Sequence, residues 1–587
     1  MIGSVRGEES TNAVPNSLEA WLEKIPKGNG SVRDFEYVDL PVAEGIKAQG
    51  ARAIPALIDR LSSSETNTRA FAAWVLQDLD PIPESELGRL IVAGKGGNRL
   101  IIPVITRFND PRAIAFLVES LERWPAHDDV LSALERSPQE TVSGIIRLFR
   151  QPRTSGDCFV INVASVFRQL GPAASIAVQP MIELANDQTV FARNRPDAVY
   201  ALGALSQRSP RVVAELKALA AVSTGLVKDA AESALVDTDD PAAIDIIVRK
   251  LRTQDSPYLR HRSELENYES ALQPASRVVV SLLDRLREMG RGAGKAGGAV
   301  VELLADPDWQ VRLVAAETLG YLDYEDGVGA LRKLLFGKDD WELVCRAAES
   351  LARLKAQSAL SDLETVASAH WFPPVREWAL RCMEVIEGKT TLEALANRRP
   401  DRSEDETRVV SLPTYWKSDP ALLTPDQLRA NKYTVHEKGR NDDDAPMVHT
   451  FPWEPVCGLR IGGGMLLGGN RGEFGGELVF RSSAGDTVLF DDNIQGLCRM
   501  PFGVVAVTGL AHLVGRQGML YLIDERNGAT PNARAWKRLP GAPRQFGILE
   551  NGDLFVACTW CDIVISAAGE ISAAPGSLKP SRNERSR

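Results

Sequence analysis

Apolar and small residues recur along the first two thirds of the chain at offsets 0, 3, 4, 7 and 8. That spacing places them on one face of an α-helix. Counted from Val311 they are Val311, Val314, Ala315, Thr318 and Leu319. From Val344 they are Val344, Ala347, Ala348, Leu351 and Ala352, and from Val375 they are Val375, Trp378, Ala379, Cys382 and Met383. Val227 starts a further copy with Ala230, Ala231, Ala234 and Leu235, and Thr68-Arg69 starts an early one with Phe71, Ala72, Val75 and Leu76. The step is 33 residues from Val311 to Val344, 31 from Val344 to Val375, and 33 from Asn194 to Val227. One amphipathic helix written repeatedly at this period predicts stacked helix pairs, each burying its face on the next.

The partner helix of each pair follows a Gly-Ala or Gly-Pro turn, as at Gly50-Ala51 before Ile54 to Ile58, Gly171-Pro172 before Pro180 to Leu184, and Gly294-Lys295-Ala296 before Val300 to Leu304. A short acidic turn then leads into the repeated helix. Asp306 suits the N-cap, where its carboxylate can accept from a first-turn amide, and Pro307 suits the first helical position, which needs no donor. Gly320, near the end of the apolar stripe, is expected to relieve packing or loosen the helix. Between residues 80 and 165 the copies are too degenerate to place, and Arg252 to Leu282 reads as a longer helical pair or an insertion.

Asp306-Pro307, Val311-Arg312, Ala315 and Leu319-Gly320, with Val375-Arg376 and Ala379 as a second good copy, resemble HEAT repeats. The short form is similar to the HEAT-like repeats of phycobilisome lyases. The resemblance implies an α solenoid over residues 17–395, a fold that serves scaffolds, adaptors and a few enzymes and does not specify chemistry. Arg69, Arg195, Arg312 and Arg376 share one repeat position, which Cys345 interrupts. The expectation is that each arginine bonds the acidic turn of a neighbouring repeat; the alternative is a row offered to an anionic ligand.

Periodicity stops near Leu395. Residues 396–452 are rich in charge and proline and read as a linker with one short helix at Thr424 to Asn431. Asp442-Asp443-Asp444 lacks the spaced oxygen ligands of a cation loop and reads as a solvated turn. From residue 453 to 576 the texture changes to short strands: Glu477 to Phe480, Thr487 to Phe490, Val504 to Val507, Met519 to Leu522, Asp553 to Val556 and Ile563 to Ile565. Asn551-Gly552-Asp553 and Ala568-Gly569-Glu570 supply turns between them. Glu477 and Met519 are 42 residues apart, about one propeller blade, and about three such units fit. The expectation is an antiparallel β unit, either partly propeller-like or a curved sandwich. Residues 1–16 and 577–587 are polar and expected to be disordered.

A net charge of −10 argues against broad nucleic-acid binding, and seven scattered cysteines do not make a disulfide framework. The N-terminus lacks the order of a signal peptide, and no apolar run is long enough to span a membrane. A cytoplasmic location follows as the expectation.

Few motifs carry chemistry. Gly462-Gly463-Gly464, Gly468-Gly469 and Gly475-Gly476 surround Arg471 and Glu473, but strands flank them on both sides, so turns are preferred to a phosphate loop. Gly292-Ala293-Gly294-Lys295 lacks phosphate-loop spacing. Cys558-Thr559-Trp560-Cys561 has the gap of a redox pair or half a zinc site, with Cys457 and Cys498 as further thiols, yet it sits among strands and reads as structural. His512 could meet Glu473, Glu477 and Asp491 only through tertiary folding. No catalytic constellation and no cofactor are implied. The residues singled out for binding are Trp309, Trp341, Trp371 and Trp378 in the last repeats, with Arg471, Glu473 and His512 in the β unit. The sequence therefore points to a non-enzymatic protein-interaction scaffold or adaptor, plausibly bacterial, that regulates or neutralises a protein partner. The alternatives are a lyase or isomerase of the bilin-attachment type, or nucleic-acid binding through the repeat arginines.

Overall fold

The computed structural model describes residues 17–27, 40–152, 159–191, 194–253, 274–396, 416–440, 446–512, 515–525 and 530–575. The expected polar termini and Asp442 to Asp444 lie outside them. The chain divides into two compact units, residues 1–238 with 439–447, and residues 239–438 with 448–587.

In the first unit, helices pair and stack so that first helices pack on first helices and second on second. The stretch that was unreadable as repeats holds α1 (Leu87–Lys95), α2 (Pro111–Ser120) and α3 (Pro138–Phe149). α2 and α3 begin 27 residues apart, so the repeat continues with shorter loops. Its pattern is broken because glycines take apolar positions where helices approach closely. A Cβ at Gly94 would lie 2.4 Å from the Phe116 ring, and one at Gly144 would lie 3.0 Å from Val118. Further on, α4 (Asn194–Gly203) packs on α5 (Gly225–Val236), with Gly203 closing on Ala234.

The second unit stacks α6 (Pro274–Met289), α7 (Trp309–Tyr321), α9 (Trp341–Arg353) and α11 (Pro373–Ile386) side by side. α8 (Val328–Leu334) packs on α9, and α10 (Leu360–Ala369) on α11. The predicted stripe is the core: Val311, Ala315, Leu319, Val344, Ala347, Ala348, Leu351, Val375, Ala379 and Cys382 are all buried. Asp308, not Asp306, caps α7, accepting from Gln310 N–H at 2.9 Å; Asp306 instead accepts from Asp308 N–H at 2.8 Å and shapes the turn before it. Gly320 does not loosen α7. A Cβ there would sit 2.8 Å from the Ser350 Cα, so glycine lets α7 and α9 touch, and Ser350 Oγ donates to the Ala316 carbonyl at 2.7 Å.

Three consecutive four-stranded antiparallel meanders follow: β3 (Cys457–Ile461) to β6 (Gly485–Asp491), β7 (Ile494–Met500) to β10 (Asn532–Arg538), and β11 (Pro543–Ile548) to β14 (Ile571–Ala573). The 42-residue spacing from Glu477 to Met519 separates the third strands of the first two sheets, β5 (Glu477–Ser482) and β9 (Gly515–Asp524). First strands pack in succession, β3 on β7 and β7 on β11. Residues 416–422 then join β11 back to β3, through bridges of Lys417 with Ile548 and Leu422 with Leu459. The inner strands therefore close a ring that neither a sandwich nor an open stack would make. Glycine is required at its joints: a Cβ at Gly496 would fall 2.1 Å from Phe546, and one at Gly547 would fall 2.2 Å from Trp416.

Much of the expected linker thus belongs to the β unit. Thr424 caps the short helix Pro425–Ala430 with a full capping box, and β1 (Tyr433–Arg440) and β2 (Pro446–Trp453) form a two-stranded sheet.

Candidate functional site

The tryptophans of the last repeats meet in the turns between paired helices. Trp309 opens α7, Trp341 opens α9, and Trp371 lies just before α11. The turns before α7 and α9 receive the end of β10, and Trp371 packs on the β core. Arg538 is the centre of this joint, with only 6% of its side chain exposed. Its backbone N–H donates to the Asp339 carbonyl at 2.8 Å. Its guanidinium pairs with Asp340 at 3.1 Å and Glu342 at 3.2 Å, and stacks on Trp309 at 3.7 Å. Lys537, equally buried, pairs with Asp339.

Trp341, 2% exposed, donates its Nε1–H to the Leu539 carbonyl at 3.2 Å and meets Trp560 edge-on at 6.2 Å. Trp371 donates to the Lys338 carbonyl at 3.0 Å and packs against the β core. Trp378 belongs to the helical core instead, donating to the Cys345 carbonyl at 3.1 Å. Trp341 and Trp378 therefore present no face to solvent, and Trp309 and Trp371 are half-buried by the chain's own β unit.

The joint continues into the repeats as an alternating chain of charges. Asp284 pairs with Arg287 at 3.2 Å, Arg287 with Glu317 at 3.1 Å, and Glu317 with Arg346 at 3.9 Å. Arg346 then pairs with Glu342 at 3.2 Å, which holds Arg538. Burial pushes the Asp284 carboxyl above its ordinary range. The chain is buried at its Arg538 end, where removing the guanidinium leaves Asp340 and Glu342 uncompensated, at a cost of about 3–5 kcal/mol.

A ladder of cross-repeat ion pairs exists, but the expected arginines do not form it. Arg312 donates to the Asp306 carbonyl at 2.7 Å, Arg69 to the Ser63 carbonyl at 2.8 Å, and Arg376 to the His370 carbonyl. Each bonds the backbone six residues before it, inside its own repeat. Arg195 bonds the Ala185 carbonyl, ten residues before it, at 2.9 Å. These arginines staple their own turns.

In the β unit, Arg471 turns inward. Its Nη1 lies 2.7 Å from both carboxylate oxygens of Glu477, and Tyr433 donates to the same carboxylate. Burial and that carboxylate push the Tyr433 phenol up. The surrounding glycines form turns, Gly463 at φ +80° and Gly475 at φ +83°. Glu473 is exposed on the 3-10 turn Gly472–Phe474, and Asp491 lies opposite Glu477 in the β5–β6 register. His512 ends β8 (Gly503–His512), and its side chain lies outside the described residues. Cys558 ends β12 (Leu554–Cys558) and Cys561 lies in the following turn, both buried. Burial pushes the Cys457 and Cys498 thiols up to about 12, which keeps them protonated. Among the described residues no group of three or more His, Cys, Asp or Glu could hold a metal ion. Gly292 to Lys295 lies in a 3-10 segment, where Lys295 pairs with Asp245 at 2.6 Å.

Two clefts were not legible in the sequence. One of about 690 Å³ lies on α11 around Glu377, Leu380, Arg381 and Glu384. Another, of about 520 Å³, lies in the first unit where α1, α2 and α3 end. The second depends on helix ends brought together by stacking. The joint left a fainter trace, three tryptophans in equivalent turns of successive repeats.

Residues 299–408 match the family described as HEAT repeats. No curated protein matches the chain. Among solved structures, an engineered protein is similar at 19% identity over 62% of this chain and 99% of that one, with a TM-score of 0.32. Importin beta, crystallised in an ammonium sulfate condition, is similar at 12% identity over 62% of each chain, with a TM-score of 0.33. Kap121p bound to Pho4p is similar at 15% identity over 60% of this chain and 42% of that one, with a TM-score of 0.29. The chain thus spans under two thirds of the length of these last two proteins. The protein is a helical-repeat array, matching HEAT repeats over residues 299–408, followed by antiparallel β sheets. Among the described residues, no helix is long and apolar enough to cross a membrane.

Proposed function

We propose that the protein is a non-enzymatic scaffold that holds a protein partner on its helical repeats. In the finer form of this reading it acts in the bacterial cytoplasm, as a regulator or neutraliser of that partner. The observation that supports it most is the joint. There the turn edge of three HEAT repeats recognises a folded element by backbone bonding, charge pairing and aromatic contact together. A surface that docks one protein element this way suits docking another, because rigid stacked turns lose little entropy on binding. The β unit is then a fixed module carried on the last repeats.

The test is cross-linking mass spectrometry on full-length protein incubated with lysate of its source organism. The expected result is an enriched protein whose cross-links fall on the helical repeats. Failure to enrich any protein, or cross-links confined to the C-terminal tail, would overturn the reading.

A further inference from the structure

Five rings lie in sequence from the turn before α11 into the β unit. His370 stacks on Trp371 with centroids 5.6 Å apart, and Trp371 stacks on Phe372 at 5.3 Å. Phe372 meets Trp341 edge-on at 5.2 Å, and Trp341 meets Trp560, in the turn after β12, at 6.2 Å. His370 is the ring among them that can take up a proton and a charge.

Its surroundings suit only the neutral ring. Phe372, whose N–H is accepted by His370 Nδ1 at 3.1 Å, is the fully buried N-cap of α11. With Nδ1 accepting, the ring's own proton sits on Nε2, which is buried and has no acceptor. An orphaned N–H is tolerable there; an orphaned charge costs far more. A second proton has to enter at Nδ1. It breaks the bond from Phe372 N–H, makes Nδ1 a donor toward the Phe372 carbonyl 3.3 Å away, and leaves the cation unsatisfied at Nε2. Of the charges on the elements around this turn, Arg376 in α11 donates to the His370 carbonyl and repels the proton. In the turn before α9, Lys338 pairs with Glu570 of the β unit at 3.9 Å, and Asp339 and Asp340 are held by Lys537 and Arg538.

We propose that His370 is an acid-operated latch on the joint: when protonated it swings out to water, drawing Trp371 and Phe372 away from Trp341 and opening the aromatic half of the joint, while the Arg538 half stays closed. Trp371 is the piece that carries the motion, because it rests on the β core and donates to the Lys338 carbonyl. The Arg538 half is held by guanidinium–carboxylate pairs and a backbone bond to Asp339, none of which involves the imidazole. The closed ring titrates at about 4 and a freed one near its ordinary 6.5. The opened state therefore binds the proton more tightly, and acid favours opening. From about pH 7 to about pH 4.5 that difference raises the opened population roughly fiftyfold.

The test is hydrogen exchange by mass spectrometry on the full-length protein at those two pH values, corrected for the intrinsic effect of pH on exchange. Wild-type amides between His370 and Arg376 should lose protection by roughly fiftyfold on acidification, while the Arg538 amide, bonded to the Asp339 carbonyl, keeps its own. His370→Asn keeps an acceptor for Phe372 N–H, and His370→Phe keeps a ring on Trp371. Neither titrates, so neither should show the drop. Unchanged wild-type protection, an equally large drop in either variant, or an equal loss at Arg538 would each overturn the proposal.

Discussion

His370 occupies the turn into α11, 8% exposed, where its Nδ1 accepts from Phe372 N–H at 3.1 Å. Burial lowers its pKa from 6.5 to about 4, helped by the Arg376 charge and opposed by the Phe372 carbonyl, which lies 3.3 Å from Nδ1 and favours a protonated ring. The unfolded chain takes up this proton below about pH 6.5, whereas the folded chain resists until about pH 4. The associated stability is therefore complete above pH 6.5 and lost as the pH falls toward 4, amounting to about 3 kcal/mol. Asparagine can accept the same amide bond without titrating. In urea unfolding followed from pH 7 to pH 4, His370→Asn should lose less stability than the wild type, by about that amount; parallel pH profiles would refute the assignment.

At the scale of helices, contact between repeats is set by the residue where two second helices cross. Gly320 permits that crossing, because a Cβ would meet the Ser350 backbone at 2.8 Å. Gly320→Ala should cost about 1–3 kcal/mol through forced separation of α7 and α9. Gly329, in α8, has no atom within 4 Å of a would-be Cβ. There the same change should be neutral or stabilising by up to ~1 kcal/mol, from helix propensity alone. Thermal melts of the two variants compare these directly, and similar shifts in both would show that the close crossing is not limiting. The inner glycines of the β unit obey the same rule, since Gly496 and Gly547 make room for Phe546 and Trp416.

For the molecule as a whole, the joint makes the last repeats and the β unit one cooperative body. Trp341 contributes an aromatic anchor and a hydrogen bond to Leu539, and the ion chain from Asp284 to Arg538 carries the connection across three second helices. Trp341→Ala should remove about 3–5 kcal/mol. Hydrogen exchange should then show α9 and β10 losing protection together while the sheet of β3 to β6 keeps its own. Loss confined to α9 would mean that docking adds little to the stability of the β unit.

The repeated helix, its buried face and its approximate period were legible from residues alone, because burying one stripe of a helix imposes a 3.6-residue rhythm wherever the context is similar. Turns in the β unit were legible for a comparable reason, since Gly552 and Gly569 take positive φ in Asn-Gly and Ala-Gly contexts. Local chemistry writes local structure. Contacts between distant segments have no such rhythm. Arg538 meets Asp340 across 198 residues, Lys417 meets Ile548 to close the inner ring, and glycines at Gly94 and Gly144 interrupt the very pattern that marks a repeat. Which tryptophans were covered was decided only when helices and sheets packed, because burial belongs to the whole arrangement of the chain.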